Sequence, residues 1–182
     1  MIEVVREAML DTSVDDLGLA GVRSRRTCIS ACALVFMAGA NRWYSPRKGD
    51  RLGFHRPYFR SDLGEASAKE LAEAQGVAMR RVRDFLFEEG VPATFVDAML
   101  NRASNEVLWV SSSDWSQFRR RAVWFEELLI SKCGLPPKLS NEALLSLTDA
   151  EIKARVTKQV ELEGSAMECG VRIKANARSA LR

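Results

Sequence analysis

The chain has 182 residues, 47% of them hydrophobic, enough to bury a core and to exclude an intrinsically disordered polypeptide. With 27 basic residues against 24 acidic ones the net charge is +3, so charge argues for neither nucleic acid nor an anionic membrane surface as a partner. No apolar run approaches the ~20 residues of a membrane helix, so no integral membrane segment is expected.

In chain order, Ile2, Val5, Ala8, Met9 and Leu10 follow helical spacing, and this helix starts at once, with neither a cap nor a secretory signal before it. Asp11 to Gly21 is a polar, glycine-containing connection, and Val22 to Ile29 reads as a short strand leading into Ser30. Arg23, Arg25 and Arg26, and later Arg119 to Arg121, form small basic clusters that read as solvated surface. Ala31 to Ala38 is an apolar run that predicts a helix with Ser30 at its mouth and Gly39 as its stop. Arg42 to Tyr44 reads as a strand, Ser45 to Asp50 as a turn through Pro46 and Gly49, and Arg51 to His55 as a strand ending before Arg56-Pro57.

A hydroxyl becomes a useful nucleophile when a base within hydrogen-bond reach takes its proton, and imidazole is the side chain suited to that at neutral pH. His55 is the only histidine, and Ser30 opens the helix that precedes the two strands leading to it, so these two are the candidate catalytic pair, expected to face each other across one cleft. Each also has an ordinary reading: a serine at a helix start caps an orphan amide, and a histidine at a strand end is a satisfied packing residue.

Together, CISACALVFMAG and LGFHRPYF resemble the Clp protease proteolytic subunit and signal peptide peptidase superfamily, of crotonase-like fold. They are more closely similar to a group of bacterial predicted periplasmic proteins related to those peptidases. The shared pattern is a serine opening a small-residue helix, an aromatic-Pro-Gly turn, and a strand ending in Gly-Phe-His-Arg-Pro, with 25 residues from Ser30 to His55. The resemblance covers roughly residues 1 to 115. It implies an α/β protein of truncated ClpP/crotonase-like fold built from β-β-α units. It also implies a serine hydrolase acting on a polypeptide or peptide, without metal or cofactor, periplasmic and homo-oligomeric. Ser30 is then the nucleophile, His55 the general base, and the backbone N–H of Ala31 one oxyanion donor. The second donor in that superfamily comes from a glycine-rich loop and strand ahead of the first helix. Because the chain opens on this helix, the expectation is a truncated or misplaced start, or a degenerate relative, with little peptidase activity from the 182-residue form. A non-catalytic relative that keeps the fold for assembly or peptide binding is the alternative.

Beyond the histidine, Tyr58 to Glu65 reads as a loop bordering the cleft. A long helix is expected from about Ala66 to Glu89, with Ala78, Met79, Val82, Phe85 and Leu86 on one face and Gly90 ending it. A second follows through about Arg102, buried by Phe95, Val96, Met99 and Leu100. Glu106 to Val110 reads as a strand and Ser113-Asp114 as the cap of the next helix. In the resembled superfamily a third triad member, which orients the imidazole, falls just before this strand. Asn105 and Glu106 are both candidates there, and the expectation is a Ser-His dyad.

Residues 1–134 are thus expected as the ClpP/crotonase-like domain lacking its first strands, and 135–182 as a helical appendage. A helix from Val123 ends at Cys133-Gly134, Leu135-Pro136-Pro137 is a linker, and Asn141 to Leu147 and Thr148 onward read as two helices, the last dozen residues frayed. Thr148 to Glu151 has the spacing of a capping box. Four cysteines without a Cys-x-x-Cys, beside a single histidine, argue against a zinc site. Cys28 and Cys32 are expected to pack as small apolar residues around Ser30. Cys133 and Cys169 are expected to form a disulfide, because a turn at Pro136-Pro137 reverses the chain between their helices.

Overall fold

Short runs of mixed polarity pair as two small sheets. In the first, β1 (Thr12–Val14) lies parallel to β3 (Arg42–Tyr44), with Thr12 opposite Arg42. In the second, β2 (Thr27–Ile29) lies parallel to β4 (Arg51–Phe54), with Cys28 opposite Leu52, and β4 pairs antiparallel with the two-residue β5 (Leu108–Trp109). Parallel neighbours need a crossover, and α2 (Ala31–Met37) with β3 supplies it between β2 and β4. The structure, a computed structural model, describes residues 1–14, 26–46, 50–58, 67–136, 143 and 146–180, and it is mixed α/β. The expected 58–65 loop beyond Tyr58, the first part of the expected 22–29 strand, and most of the expected 141–147 helix lie outside the described residues.

The helices of this first part are α1 (Ile2–Glu7), α2, α3 (Ala68–Glu88), α4 (Ala93–Leu100) and α5 (Ser112–Gln117). α3 starts where Ser67 and Glu70 exchange hydrogen bonds, and the Ser67 hydroxyl and amide hold the Glu70 carboxyl below the usual carboxylate range. It stops at Gly90, whose φ of 76° is open to glycine at no steric cost. Its buried and half-buried positions include Val82, Phe85 and Leu86, the face its periodicity predicts. They join Phe95, Val96 and Met99 of α4, Phe36 and Met37 of α2, and Leu52 and Phe54 of β4 in one core. Aromatic rings knit that core, with Trp115 5.4 Å from Tyr44 and Phe95 4.9 Å from Phe118. The cap of α5 is Ser111 rather than Ser113. Only Ser111 stands three residues before Asp114, so that side chain and backbone satisfy each other reciprocally.

Polar groups are buried in this unit as well. The Tyr44 hydroxyl accepts from the Leu52 N–H at 3.4 Å and lies 3.2 Å from the carbonyls of Asp50 and Val110, so one side chain of the first sheet bonds backbone of the second. Burial raises its pKa above the usual phenol value. Arg42 is fully buried and bonds the Glu89 carboxylate, the Glu89 carbonyl at 2.8 Å and the Arg119 carbonyl at 3.2 Å. Arg6 completes the cluster through Nε, 3.1 Å from Glu89. Burial pulls the Arg42 guanidinium down to about 10, with Glu89 acting in the opposite direction.

The chain forms two compact units, Met1–Arg6 with Leu10–Val123, and Glu7–Met9 with Trp124–Arg182. α6 (Val123–Cys133) packs on α7 (Asp149–Ala180). Small residues allow the close approach: Ala166 and Gly170 are buried, and a Cβ on Gly170 would lie 2.8 Å from Leu129 Cδ2. The Lys174 ammonium stands 4.5 Å over the Phe125 ring. Cys133 and Cys169 are bonded, as expected, with Cα atoms 5.7 Å apart. For their sequence separation of 36 the chain-entropy model gives roughly 3–4 kcal/mol. Thr148 and Glu151 form the expected capping box. Residues 171–180, expected to fray, are helical, since α7 runs through Ala180.

Candidate active site

β2 ends at Ile29, α2 begins at Ala31, and Ser30 alone makes the turn between them. Its backbone takes φ 60° and ψ −123°, a conformation that costs a non-glycine residue on the order of 1–3 kcal/mol. The surroundings hold it there: the Ser30 N–H donates to the Gly53 carbonyl at 3.3 Å, and its carbonyl accepts from Leu34 at 3.2 Å. An ordinary N-cap has an extended backbone and turns its oxygen onto an amide of the first turn. Ser30 does neither: it has positive φ, makes no side-chain cap hydrogen bond, and is exposed. A sharp strand-to-helix turn of this kind is how nucleophile elbows present a hydroxyl.

Cys28 and Cys32 bracket this turn as a disulfide, with Cα atoms 5.2 Å apart. The expectation that they pack as separate apolar residues is therefore corrected. Four residues along one helix would leave the two side chains merely stacked, but the break at Ser30 folds the end of the strand against the first helical turn. Cys28 is buried and Cys32 exposed.

His55 is positioned by register. Ile29 pairs with Gly53, so Ser30 is level with Phe54 and His55 is the first residue beyond β4. Neighbouring parallel strands, about 4.8 Å apart, thus deliver both residues to their C-terminal ends, the edge where open α/β sheets hold ligands. β4 has little freedom to shift. A Cβ on Gly53 would lie 2.5 Å from Val107 Cγ1 and 2.8 Å from Trp109 Cε3, and the Arg51 guanidinium stacks 3.6 Å over the Trp109 ring. The His55 ring is half-buried, 5.7 Å from the Tyr58 ring, and its Nδ1 lies 2.9 Å from the Arg56 carbonyl. A carbonyl only accepts, so Nδ1 is the donor; the neutral ring with that tautomer has its lone pair on Nε2, the form a general base requires. No hydrogen bond joins the Ser30 hydroxyl to His55 among the described residues; such pairs are often open before substrate arrives.

Neither candidate for a third member reaches the ring. Asn105 and Glu106 are exposed, and Glu106 pairs with Arg102 at 3.9 Å. The group that meets the ring's Nδ1 is the main-chain carbonyl of Arg56, and a backbone group leaves no signature in a sequence. Ala31 is the first residue of α2, so its N–H is one of the initial amides without an intrahelical partner. Among the described residues, no three His, Cys, Asp or Glu side chains gather as metal ligands, and no helix is long and apolar enough to cross a membrane. Comparison with protein-family models, with curated proteins and with solved structures finds no match in any of the three.

Proposed function

We propose that this protein is a serine hydrolase of ClpP/crotonase-like fold that cleaves a polypeptide or peptide through a Ser30-His55 dyad. The observation that carries the reading is the Ser30 backbone, strained to φ 60° at a strand–helix junction and unexplained by capping. Ser30 Oγ attacks the substrate carbonyl while His55 Nε2 takes its proton, and the Ala31 N–H donates to the developing oxyanion. The imidazolium returns its proton to the leaving group, then repeats the cycle with water on the acyl-enzyme. Throughout, the Arg56 carbonyl holds Nδ1–H. The peptide class, a periplasmic location and homo-oligomers rest on the resemblance of CISACALVFMAG and LGFHRPYF.

A fluorophosphonate probe tests this directly. Mass spectrometry should find the adduct on the peptide carrying Ser30, and Ser30→Ala should abolish it. Folded protein that stays unlabelled at millimolar probe would sink the hydrolase reading in favour of a non-catalytic relative that binds peptide.

A further inference from the structure

We propose that the Cys28–Cys32 disulfide positions the Ser30 nucleophile, so that the site is assembled in the oxidised protein and comes apart on reduction. This rests on the hydrolase reading of Ser30. The bridge closes a five-residue ring, Cys28-Ile29-Ser30-Ala31-Cys32, with the strained residue at its centre. One end is anchored, since Cys28 is 4% exposed and sits opposite Leu52 in the parallel ladder. The other end is tied to the first turn of α2. The Ser30 side chain contributes no hydrogen bond to the turn, which leaves two backbone hydrogen bonds and the disulfide to hold φ positive. A non-glycine residue keeps such a backbone only when its surroundings over-determine it, and the covalent ring is the strongest of these three restraints.

The same bond is open to chemistry. Cys32 is exposed, so the thiolate of a dithiol reductant attacks Cys32 Sγ, the Cys28–Cys32 bond breaks, and Cys28 leaves as a thiolate that takes a proton. The reductant's second thiol then attacks its own sulfur in the mixed disulfide and releases Cys32. Two electrons pass to the protein, which gains two thiols while the reductant becomes a cyclic disulfide. Ser30 then relaxes out of the left-handed region and its hydroxyl leaves the line to His55.

The experiment compares oxidised and dithiothreitol-reduced protein in the Cys133→Ala/Cys169→Ala variant, where Cys28–Cys32 is the only bridge, with the wild type treated in parallel in case that variant folds poorly. The labelling rate at Ser30 is expected to fall at least tenfold on reduction and to return on reoxidation, and Cys28→Ala/Cys32→Ala should show the low rate with or without reductant. A second readout does not depend on catalysis: the Ser30 HN–Hα coupling should change, and exchange of the Ser30 and Leu34 amides, whose hydrogen bonds hold the turn, should quicken at least tenfold, while far-ultraviolet circular dichroism stays the same. Equal labelling in both redox states would overturn the inference and leave the hydrolase reading standing. No labelling in either state, with redox-dependent coupling and exchange, would overturn the hydrolase reading and support the clamp. Unchanged coupling and exchange would overturn the clamp itself.

Discussion

Glu89→Ala is expected to destabilise the protein by about 3–5 kcal/mol in urea denaturation, the cost of leaving a buried charge without its partner. Glu89 and the Arg42 side chain it bonds are both fully buried, and Arg6 draws on the same carboxylate. After truncation Arg42 keeps the carbonyls of Glu89 and Arg119 but loses the carboxylate that pairs with it in the core. The neighbouring Glu88 carboxyl side chain is 66% exposed and meets Arg6 at 3.6 Å, so Glu88→Ala should change stability by no more than about 0.5 kcal/mol. Replacing both buried partners, Arg42→Met with Glu89→Leu, should cost less than Glu89→Ala alone, because no charge is then stranded. A loss below about 1 kcal/mol for Glu89→Ala would mean that water reaches Arg42 and that the cluster is not the anchor described.

His55→Ala is expected to lower the fluorophosphonate labelling rate at Ser30 by about 100- to 10,000-fold, the usual contribution of a positioned base. Because the Arg56 carbonyl orients the ring, Asn105→Ala and Glu106→Ala should stay within about twofold of wild type. A side-chain carboxylate in that role would behave differently, since its loss in a Ser-His-Asp triad costs roughly 10,000-fold. Labelling of His55→Ala within a few-fold of wild type would remove the histidine from the mechanism, and a large loss in Glu106→Ala would restore a triad.

The order of elements around the site was legible because it depends on local pattern. β3 occupies Arg42–Tyr44 as read, α3 buries the face its 3.6-residue period predicts, and Ser30 and His55 fall at the ends of neighbouring strands. What stayed hidden depends on residues far apart or on backbone. Arg42 in Asn-Arg-Trp-Tyr reads only as a strand residue, and Glu89 only as the last helical residue before Gly90; nothing local marks either as buried. Their burial is made by a pairing 47 residues apart, with Arg119 a further 30 residues along. Cys28 and Cys32 were expected as separate apolar residues for a related reason: a strand residue and a helix residue four apart do not show how sharply the chain turns between them, and that turn is the positive φ of Ser30.

Along α7 every buried side chain lies between Ala166 and Lys174, around the Cys169 bridge. From Asp149 to Ser165 none is buried, so those turns rest on their own hydrogen bonds and on the Thr148–Glu151 cap. In proteins most helical stability comes from packing one face of the helix, and this stretch has no buried face. The helix is therefore two thermodynamic segments under one geometry. Around Cys169 opening requires separating two covalently joined helices, whereas upstream each turn opens for the loss of a few local bonds. The bridge fixes where solvent exchange becomes slow, not how far the helix extends.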